Sequence, residues 1–433
     1  MVTTLLSLVM LLADGAPPVD LHGKVVNTNG QPVAGASVMI YSAAPKKGPA
    51  TIDPFDHPDC EKSATADDQG VFTIAGVDST LQYEILVSAD GYRPLMLKKV
   101  DPTRGLINAK LNKPPTDVEP ELRLRGHVVD EKGEPICGAK IEVNAYGNAN
   151  SKTFGGESEY IEPAGYTNAK GEFLLIAKKT GYTFDLRVSG RALAPSLFKG
   201  VSGGEAVNEY SLTAGSSITG RVVKDGQPVS GVKMMLVQED RNSETWLGVK
   251  SAFTNDQGQF TLNHVHADTR FDLSGTMRSL AGRGAMGITK CHSTGDDTAV
   301  DVGDLSVEPG FTVSGQLIVS SGTPAFEKAK LTIQRSSMWD DGVDAAVDKD
   351  GKFEFKSIAP DLEVLQVKLS GFHVSKENAS AEPYGARYLT GRVDDNINDL
   401  KIQLDPDPAD PPNYNNRAGW EGIRSSPLRG ITP

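Results

Sequence analysis

Cysteine, aromatic residues and basic charge are all scarce in this 433-residue sequence. The three cysteines, Cys60, Cys137 and Cys291, are widely dispersed, and such an odd set is a poor disulfide framework, so we expect free thiols. Lys and Arg number 44 against 56 Asp and Glu, and the resulting net charge of −12 argues against binding to nucleic acid or anionic lipid. No run reaches the roughly 18 apolar residues of a membrane span, so no integral span is expected.

Catalytic and metal-binding motifs are also missing from the sequence. There is no HExxH zinc motif, no Gly-x-Ser-x-Gly nucleophile turn, no Walker loop and no dinucleotide fingerprint. His264 and His266 share a strand face, and the segment from Asp394 to Asp399 is rich in oxygen ligands, but a strand end and a solvated turn explain these patterns better than metal sites. We therefore expect no enzyme activity, no catalytic residue, no bound metal and no cofactor.

The sequence does contain one pattern that is repeated four times. An apolar–x–Gly strand is followed by a Gly-x-Pro turn and then by a Gly-Ala pair at which the next strand begins, here called the restart. A polar turn that ends in Gly-x-Phe follows. The strand glycines are Gly23, Gly126, Gly220 and Gly315, and their spacing of 103, 94 and 95 residues suits independent domains better than solenoid repeats. In the fourth copy Glu327 replaces the restart glycine.

Alternation of apolar and polar residues predicts that every copy is built from strands. Leu21, Gly23 and Val25 share one face of the first strand, and Val38 and Ile40 share one face of the second. A third, a fourth and a closing strand follow in each copy, and no long stretch has helical spacing. The predicted fold is all-β, with four tandem seven-stranded transthyretin-like or Ig-like β-sandwich domains in an elongated array.

The copies and the segments between them define the predicted domains. An apolar run from Leu5 to Leu12, followed by small residues, predicts a signal peptide at residues 1–16 and hence export to the extracellular space, the periplasm or the cell surface. The n-region of this peptide lacks Lys and Arg. The remaining predicted segments are β-sandwich repeats at 19–114, 121–213, 214–308 and 309–405, the last one divergent, and a disordered Pro/Asn-rich tail at 406–433.

The repeated strand and turn patterns resemble those of the carboxypeptidase regulatory-like family over roughly residues 19–405. The resemblance is strongest in the first two copies, where the Gly-x-Pro-x-x-Gly-Ala turn is complete from Gly30 and from Gly133. Gly91-Tyr92 also matches the Gly-Tyr that the family places after its fourth strand. The resemblance implies a transthyretin-like sandwich of seven strands, which accompanies metallocarboxypeptidases as an accessory domain and is grouped with carbohydrate-binding-like folds.

Aromatic residues outside the strand alternation are the best candidates for ligand binding. Tyr160, Trp246 and Trp339 lie in long loops that follow the second strand of their copies. A flat ring on a loop suits the recognition of a sugar or a peptide. The alternative interpretation is that these rings fold back and cover the edge of the sandwich.

Two classes of function remain open at this point. The first is a non-catalytic exported or cell-surface repeat protein that serves as a spacer and as a binding platform for a glycan or for an extracellular or envelope protein. The second is an accessory component of an exported hydrolase or transport system that tethers a substrate or partner. The sequence does not determine the oligomeric state.

Overall fold

A computed structural model describes residues 17–407 except 49, 51, 149–150, 155–159, 163, 241–244, 339–340, 376 and 379–387. The protein is all-β, as predicted: 54% of the described residues are in strands and 4% in helices. The predicted signal peptide and residues 408–433 of the predicted tail lie outside the described residues. No helix in the described part of the chain has the length and apolarity needed to cross a membrane. Two compact units, residues 1–213 and 214–433, each contain two copies of the repeat.

The first repeat is a sandwich of seven strands in two sheets. The strands are β1 (Val19–Asn27), β2 (Ser37–Pro45), β3 (Ser63–Thr65), β4 (Val71–Val77), β5 (Leu81–Ser88), β6 (Leu95–Val100) and β7 (Ile107–Leu111). One sheet has the order β4-β1-β7 and the other β3-β2-β5-β6. The first and last strands, β1 and β7, are parallel, whereas β1 and β4 are antiparallel.

The second repeat has the same plan with one extra short strand. A 3-10 turn at Pro120–Leu122 leads into the following strands: β8 (Arg123–Val129), β9 (Lys140–Asn148), β10 (Ser151–Phe154), β11 (Ala164–Tyr166), β12 (Glu172–Ile176), β13 (Thr183–Ser189), β14 (Ser196–Val201) and β15 (Asn208–Ser211). One sheet has the order β12-β8-β15, and the other has β10-β9-β13-β14 with β11 also on β9. Here β8 and β15 are the parallel pair.

The third repeat opens the second unit. Its elements are β16 (Ser216–Lys224), β17 (Gln227–Pro228), β18 (Lys233–Gln238), β19 (Val249–Phe253), β20 (Gln259–Val265), β21 (Arg270–Gly275), the helix α1 (Met277–Leu280), β22 (Thr289–His292) and β23 (Ala299–Ser306). In one sheet β16 lies between β20 and a parallel β23, and the other sheet has the order β19-β18-β21-β22.

The fourth repeat keeps this arrangement although its sequence diverges. Its strands are β24 (Phe311–Val319), β25 (Lys330–Arg335), β26 (Gly342–Ala345), β27 (Lys352–Ile358), β28 (Asp361–Lys368), β29 (Phe372–Val374), β30 (Tyr388–Val393) and β31 (Ile397–Pro406). The sheets have the orders β27-β24-β31-β29 and β26-β25-β28-β30, and β24 is parallel to β31.

Each repeat buries its own set of inward-facing side chains between its two sheets. Ile40 and Ile85 belong to the first set, and Ile141 and Leu186 to the second. The alternation seen in the sequence produces these sets, because every second side chain of a strand points to the same face. The core of the fourth repeat also includes Met277 and Ala285 from the third repeat, so hydrophobic packing continues across that boundary.

The glycine of each first strand allows a very close approach of its neighbours. An added Cβ on Gly126 would lie 2.3 Å from the ring of Tyr210 and 2.4 Å from the ring of Phe173. Phe173 is also the ladder partner of Gly126. The equivalent pairs are Gly23 with Phe72, Gly220 with Phe260 and Gly315 with Phe353. Only a residue without a side chain fits at this position.

The polar turn before each of these phenylalanines also has one structure in all four repeats. The Oδ1 atom of Asp67 accepts hydrogen bonds from the backbone N–H groups of Gln69 and Val71. Asn168, Asn255 and Asp348 make the same two bonds in the other repeats. Asp and Asn favour such turns because their short side chains reach the backbone two residues further along the chain.

Replacement of Gly126 with Ala should destabilise the second repeat by about 1–3 kcal/mol, the usual cost of forcing an extra carbon into a packed core. Calorimetric unfolding of the full chain measures this change. Gly204→Ala is the matched control in the same repeat, because an added Cβ there meets nothing within 4 Å. Equal stability of the two variants would show that the Gly126 contact does not constrain the sandwich.

Candidate functional site

Tyr160 lies in a cluster of three tyrosines at the edge of the second repeat. Its ring stacks on that of Tyr182, with centroids 4.7 Å apart and planes inclined by 15°, and lies 5.5 Å from that of Tyr146. The ammonium group of Lys179 lies over the Tyr160 ring, 4.6 Å from its centroid. All three rings are half-buried, and Tyr146 and Tyr182 pack against the core of the repeat. The tyrosine cluster therefore combines a fixed base with partly exposed aromatic surface.

Trp246 occupies a different kind of environment. Its half-buried ring packs against Met235 and Val237 on the outer face of β18 and against Met338 of the fourth repeat. These three side chains are at most 1% exposed. Trp246 thus packs on an apolar face between two repeats. Trp339 lies outside the described residues.

The first and second repeats share a buried apolar joint that the sequence patterns did not reveal. Tyr41 and Leu86 are 6% and 1% exposed, yet they lie outside the core of the first repeat. An added Cβ on Gly138, in the restart turn of the second repeat, would lie 2.8 Å from Leu86 and 2.9 Å from Tyr41. Phe55, another loop aromatic, packs edge-on against Tyr41. The turn of one repeat therefore sits directly on the outer sheet face of the other.

Charged side chains also form directional hydrogen bonds between the first and second repeats. Arg93 donates two hydrogen bonds of 2.6 Å, one to each carboxylate oxygen of Glu162. Arg191 donates to the backbone carbonyl of Cys60 at 2.6 Å. Burial alone would raise the pKa of Glu162, but the bonds from Arg93 and from the backbone of Ile176 outweigh it and leave that pKa below the ordinary value. The paired, charged form of Glu162 is thus the stable one.

The third and fourth repeats share a joint of different chemistry. Arg335 on β25 is completely buried and forms an ion pair with Asp341, which is also completely buried. Arg335 also donates to Ser274 Oγ at 3.1 Å and to the backbone carbonyls of Gly275 and Met286 at 3.0 Å. These three acceptors belong to the third repeat, so one side chain of the fourth repeat anchors the second joint.

The other polar patterns noted in the sequence have local structural roles. Nδ1 of His264 lies 3.2 Å from the carbonyl of Ala214, and Nδ1 of His266 lies 2.9 Å from that of Ala267. In the acidic segment, Arg392 pairs with Asp394. Among the described residues, no group of three or more His, Cys, Asp or Glu side chains is placed to hold a metal ion. The three cysteines, all within the described part, are free thiols.

The first repeat matches a known protein family. Residues 20–109 match the model of the carboxypeptidase regulatory-like domain, which confirms the resemblance seen in the sequence. The match falls within the first sandwich. No curated protein matches the chain significantly.

Two pilins and one further bacterial protein were found among solved structures. The minor pilin GBS52 of Streptococcus agalactiae is 12% identical, with a TM-score of 0.25, over 45% of this chain and 98% of the pilin. The TIE protein of Bacillus anthracis is 13% identical, with a TM-score of 0.18, over 89% of this chain and 73% of that protein. The major pilin subunit BcpA of Bacillus cereus is 10% identical, with a TM-score of 0.18, over 67% of this chain and 99% of that subunit.

The Arg93–Glu162 pair should contribute about 1 kcal/mol at pH 7, as measured by a double-mutant cycle on unfolding of the full chain. Because the folded-state pKa of Glu162 is lowered, this contribution is present above the ordinary glutamate pKa and is lost as the pH falls through the lowered value. The Arg125–Glu205 pair, whose glutamate is 73% exposed, is the matched control and should couple more weakly. A coupling energy for Arg93–Glu162 no larger than that of the control would contradict the assignment.

Proposed function

We propose that the chain is a non-catalytic exported or cell-surface repeat protein that acts as a tension-bearing spacer and carries binding sites. The observation that carries this proposal is the parallel pairing of the first and last strands in every repeat: β1 with β7, β8 with β15, β16 with β23 and β24 with β31. The alternative, an accessory component of an exported hydrolase or transport system, would need a tethered enzyme or transporter.

Parallel terminal strands determine how a repeat responds to force along the chain. When the two ends of a repeat are pulled apart, its first and last strands are drawn in opposite directions along their shared ladder. All hydrogen bonds of that ladder are then loaded together, and they must break together. In an antiparallel hairpin pulled from its open end, the bonds break one after another. A series of such repeats is therefore well suited to transmit tension.

The two buried joints support the same proposal. Arg93–Glu162 in the first unit and Arg335 in the second tie each repeat to the next one within its unit. A specific, buried joint limits bending between neighbours more than an exposed linker does. Within each unit, the repeats are thus held at one relative orientation, as a spacer requires.

Pulling the full chain by its two ends in a single-molecule experiment tests the spacer function. We expect a series of force peaks, each of which releases roughly 300 Å of contour length, the extended length of about 90 residues. The matched control attaches the handles at Asn29 and Asp68, exposed positions near the adjacent ends of the antiparallel strands β1 and β4. This geometry peels the first repeat open and should need a lower force. Equal forces in the two geometries would contradict a role in bearing tension.

A second function, ligand binding, is favoured by the tyrosine cluster of Tyr146, Tyr160 and Tyr182. Stacked rings present a rigid apolar surface, and a nearby lysine supplies a polar group, which together suit the apolar face and hydroxyl groups of a sugar. Binding to one such cluster would be weak, so attachment of several chains to a surface would be needed for strong avidity. We infer a glycan as the ligand class for this site.

Tyr160→Ala should abolish glycan binding by the full chain on a glycan array and change the free energy of unfolding by less than about 1 kcal/mol, as is usual for a partly exposed loop residue. Ile52→Ala is the matched control, because Ile52 is a 55% exposed residue of the corresponding loop in the first repeat. That variant should retain binding. A loss of several kcal/mol of stability in Tyr160→Ala would instead identify the ring as part of the core.

A further inference from the structure

Glu363 is a buried acid at the second joint whose carboxyl group has no hydrogen-bond partner. The side chain is fully buried, and neither of its oxygen atoms has a partner among the described residues. It lies on β28, where its ladder partner is Arg335 of β25. Side chains directly opposite each other on antiparallel strands have their Cβ atoms about 5 Å apart, so Arg335 is within reach of Glu363.

Arg335 donates no hydrogen bond to Glu363 because its N–H groups already bond to other acceptors. Nε and one terminal nitrogen contact the Asp341 carboxylate, and that nitrogen also donates to the carbonyl of Gly275. The other terminal nitrogen donates to Ser274 Oγ and to the carbonyl of Met286. A guanidinium group has five N–H donors, and these contacts use all three of its nitrogens. The orientation that holds the third repeat thus leaves Glu363 unpaired.

The charges around Glu363 explain which protonation state this arrangement holds. Burial raises the pKa of Glu363 well above the ordinary glutamate value; Arg335 lowers it, whereas Asp341 and the half-buried Asp361 raise it. Arg335 and Asp341 neutralise each other, so the three fully buried side chains of Arg335, Asp341 and Glu363 are together neutral when Glu363 is protonated and carry one negative charge when it is not. On the facing strand β21 of the third repeat, Ser274 is uncharged and the buried Asp272 pairs with Lys290. The charged Arg278 is 70% exposed and pairs with Asp344.

We propose that the second joint is a pH-controlled latch in which Arg335 changes partners. While Glu363 is neutral, Arg335 is bound to Ser274, Gly275 and Met286 of the third repeat. When Glu363 loses its proton, a buried carboxylate without a partner is costly, and Arg335 is the only buried cation among the described residues near it. Arg335 then turns toward Glu363, and its contacts with the third repeat are lost.

Asp341 links this exchange to the backbone of the third repeat. Its second oxygen, Oδ1, accepts a hydrogen bond of 2.6 Å from the N–H of Met277, the first residue of α1. When the guanidinium group moves, Asp341 loses its cation and this contact weakens. Opening of the latch should therefore expose the amide of Met277 and its neighbours in α1 to solvent exchange.

The direction of the pH effect follows from the raised pKa. The folded state holds the Glu363 proton more tightly than the unfolded state does, so the free energy of unfolding falls as the pH rises between the ordinary glutamate value and the raised one. The joint is closed at acidic pH and loosens with increasing pH.

Hydrogen exchange of the full chain, followed by mass spectrometry and corrected for the intrinsic pH dependence of exchange, tests the latch. In the wild type, protection of peptides that contain Met277 should fall at least tenfold between pH 5.5 and pH 8.5. Glu363→Gln, which imitates the neutral acid, should keep the acidic level of protection at both pH values. Glu354→Gln is the matched control, since Glu354 is an exposed acid of the same repeat paired with Lys356, and it should behave as the wild type does.

Infrared spectroscopy of the wild type supplies a second measurement that does not depend on the folding of a variant. The carbonyl band of a protonated, buried carboxylic acid should be present at pH 5.5 and should disappear over the same pH range in which the protection of Met277 falls. A wild-type protection that is independent of pH, or a Glu363→Gln profile equal to that of the wild type, would overturn the latch. So would a carboxylic acid band that remains unchanged while the joint opens.

Discussion

The close approach permitted by one glycine in each first strand is the constraint on which the sandwiches depend. The first strand lies between the phenylalanine-bearing strand and the last strand, and both neighbours crowd its glycine. At Gly23 an added Cβ would lie 2.4 Å from the Phe72 ring and 2.7 Å from the carbonyl of Ile107 on β7. At Gly315 the nearest atom is the carbonyl of Leu400 on β31, at 2.0 Å. Because the glycine has no side chain, its strand can pack against the aromatic ring on one side. For the same reason the parallel last strand can approach closely on the other side and complete the sheet.

Much of this architecture could be predicted from the sequence, because glycine, proline and alternating apolar residues leave strong local signals. Alternation of apolar and polar residues did not reveal the strands that are short or lie at sheet edges, such as β3 and β6. Three equivalent backbone positions were also missed, namely Gly76, His264 and Ser357, with φ values of 65°, 56° and 57°. Each lies beside a register shift against the first strand. A bulge that accepts Gly, His and Ser alike has no single residue signature.

The joints were harder to predict than the fold because their partners are distant in sequence. Arg93 and Glu162 are 69 residues apart, and nothing near either one indicates the other. The apolar faces of the joints, in contrast, can be recognised in the sequence. Met235 and Val237 alternate with the buried Met234 and Leu236, so β18 is apolar on both faces, which is typical of a strand covered on both sides. Trp246 is explained by this second face.

The two joints differ in the balance between burial and the charge of the neighbouring arginine: hydrogen bonds outweigh burial at Glu162, whereas burial outweighs the charge of Arg335 at Glu363. Arg93 gives both terminal nitrogens to Glu162, and the pKa of that acid is lowered despite partial burial. Arg335 lies opposite Glu363 but directs its nitrogens to Asp341 and to the third repeat, and the pKa of Glu363 is raised. A glutamate near an arginine thus has a lowered pKa in one joint and a raised pKa in the other. The two joints should consequently respond to pH in opposite directions, the first weakening in acid and the second in base.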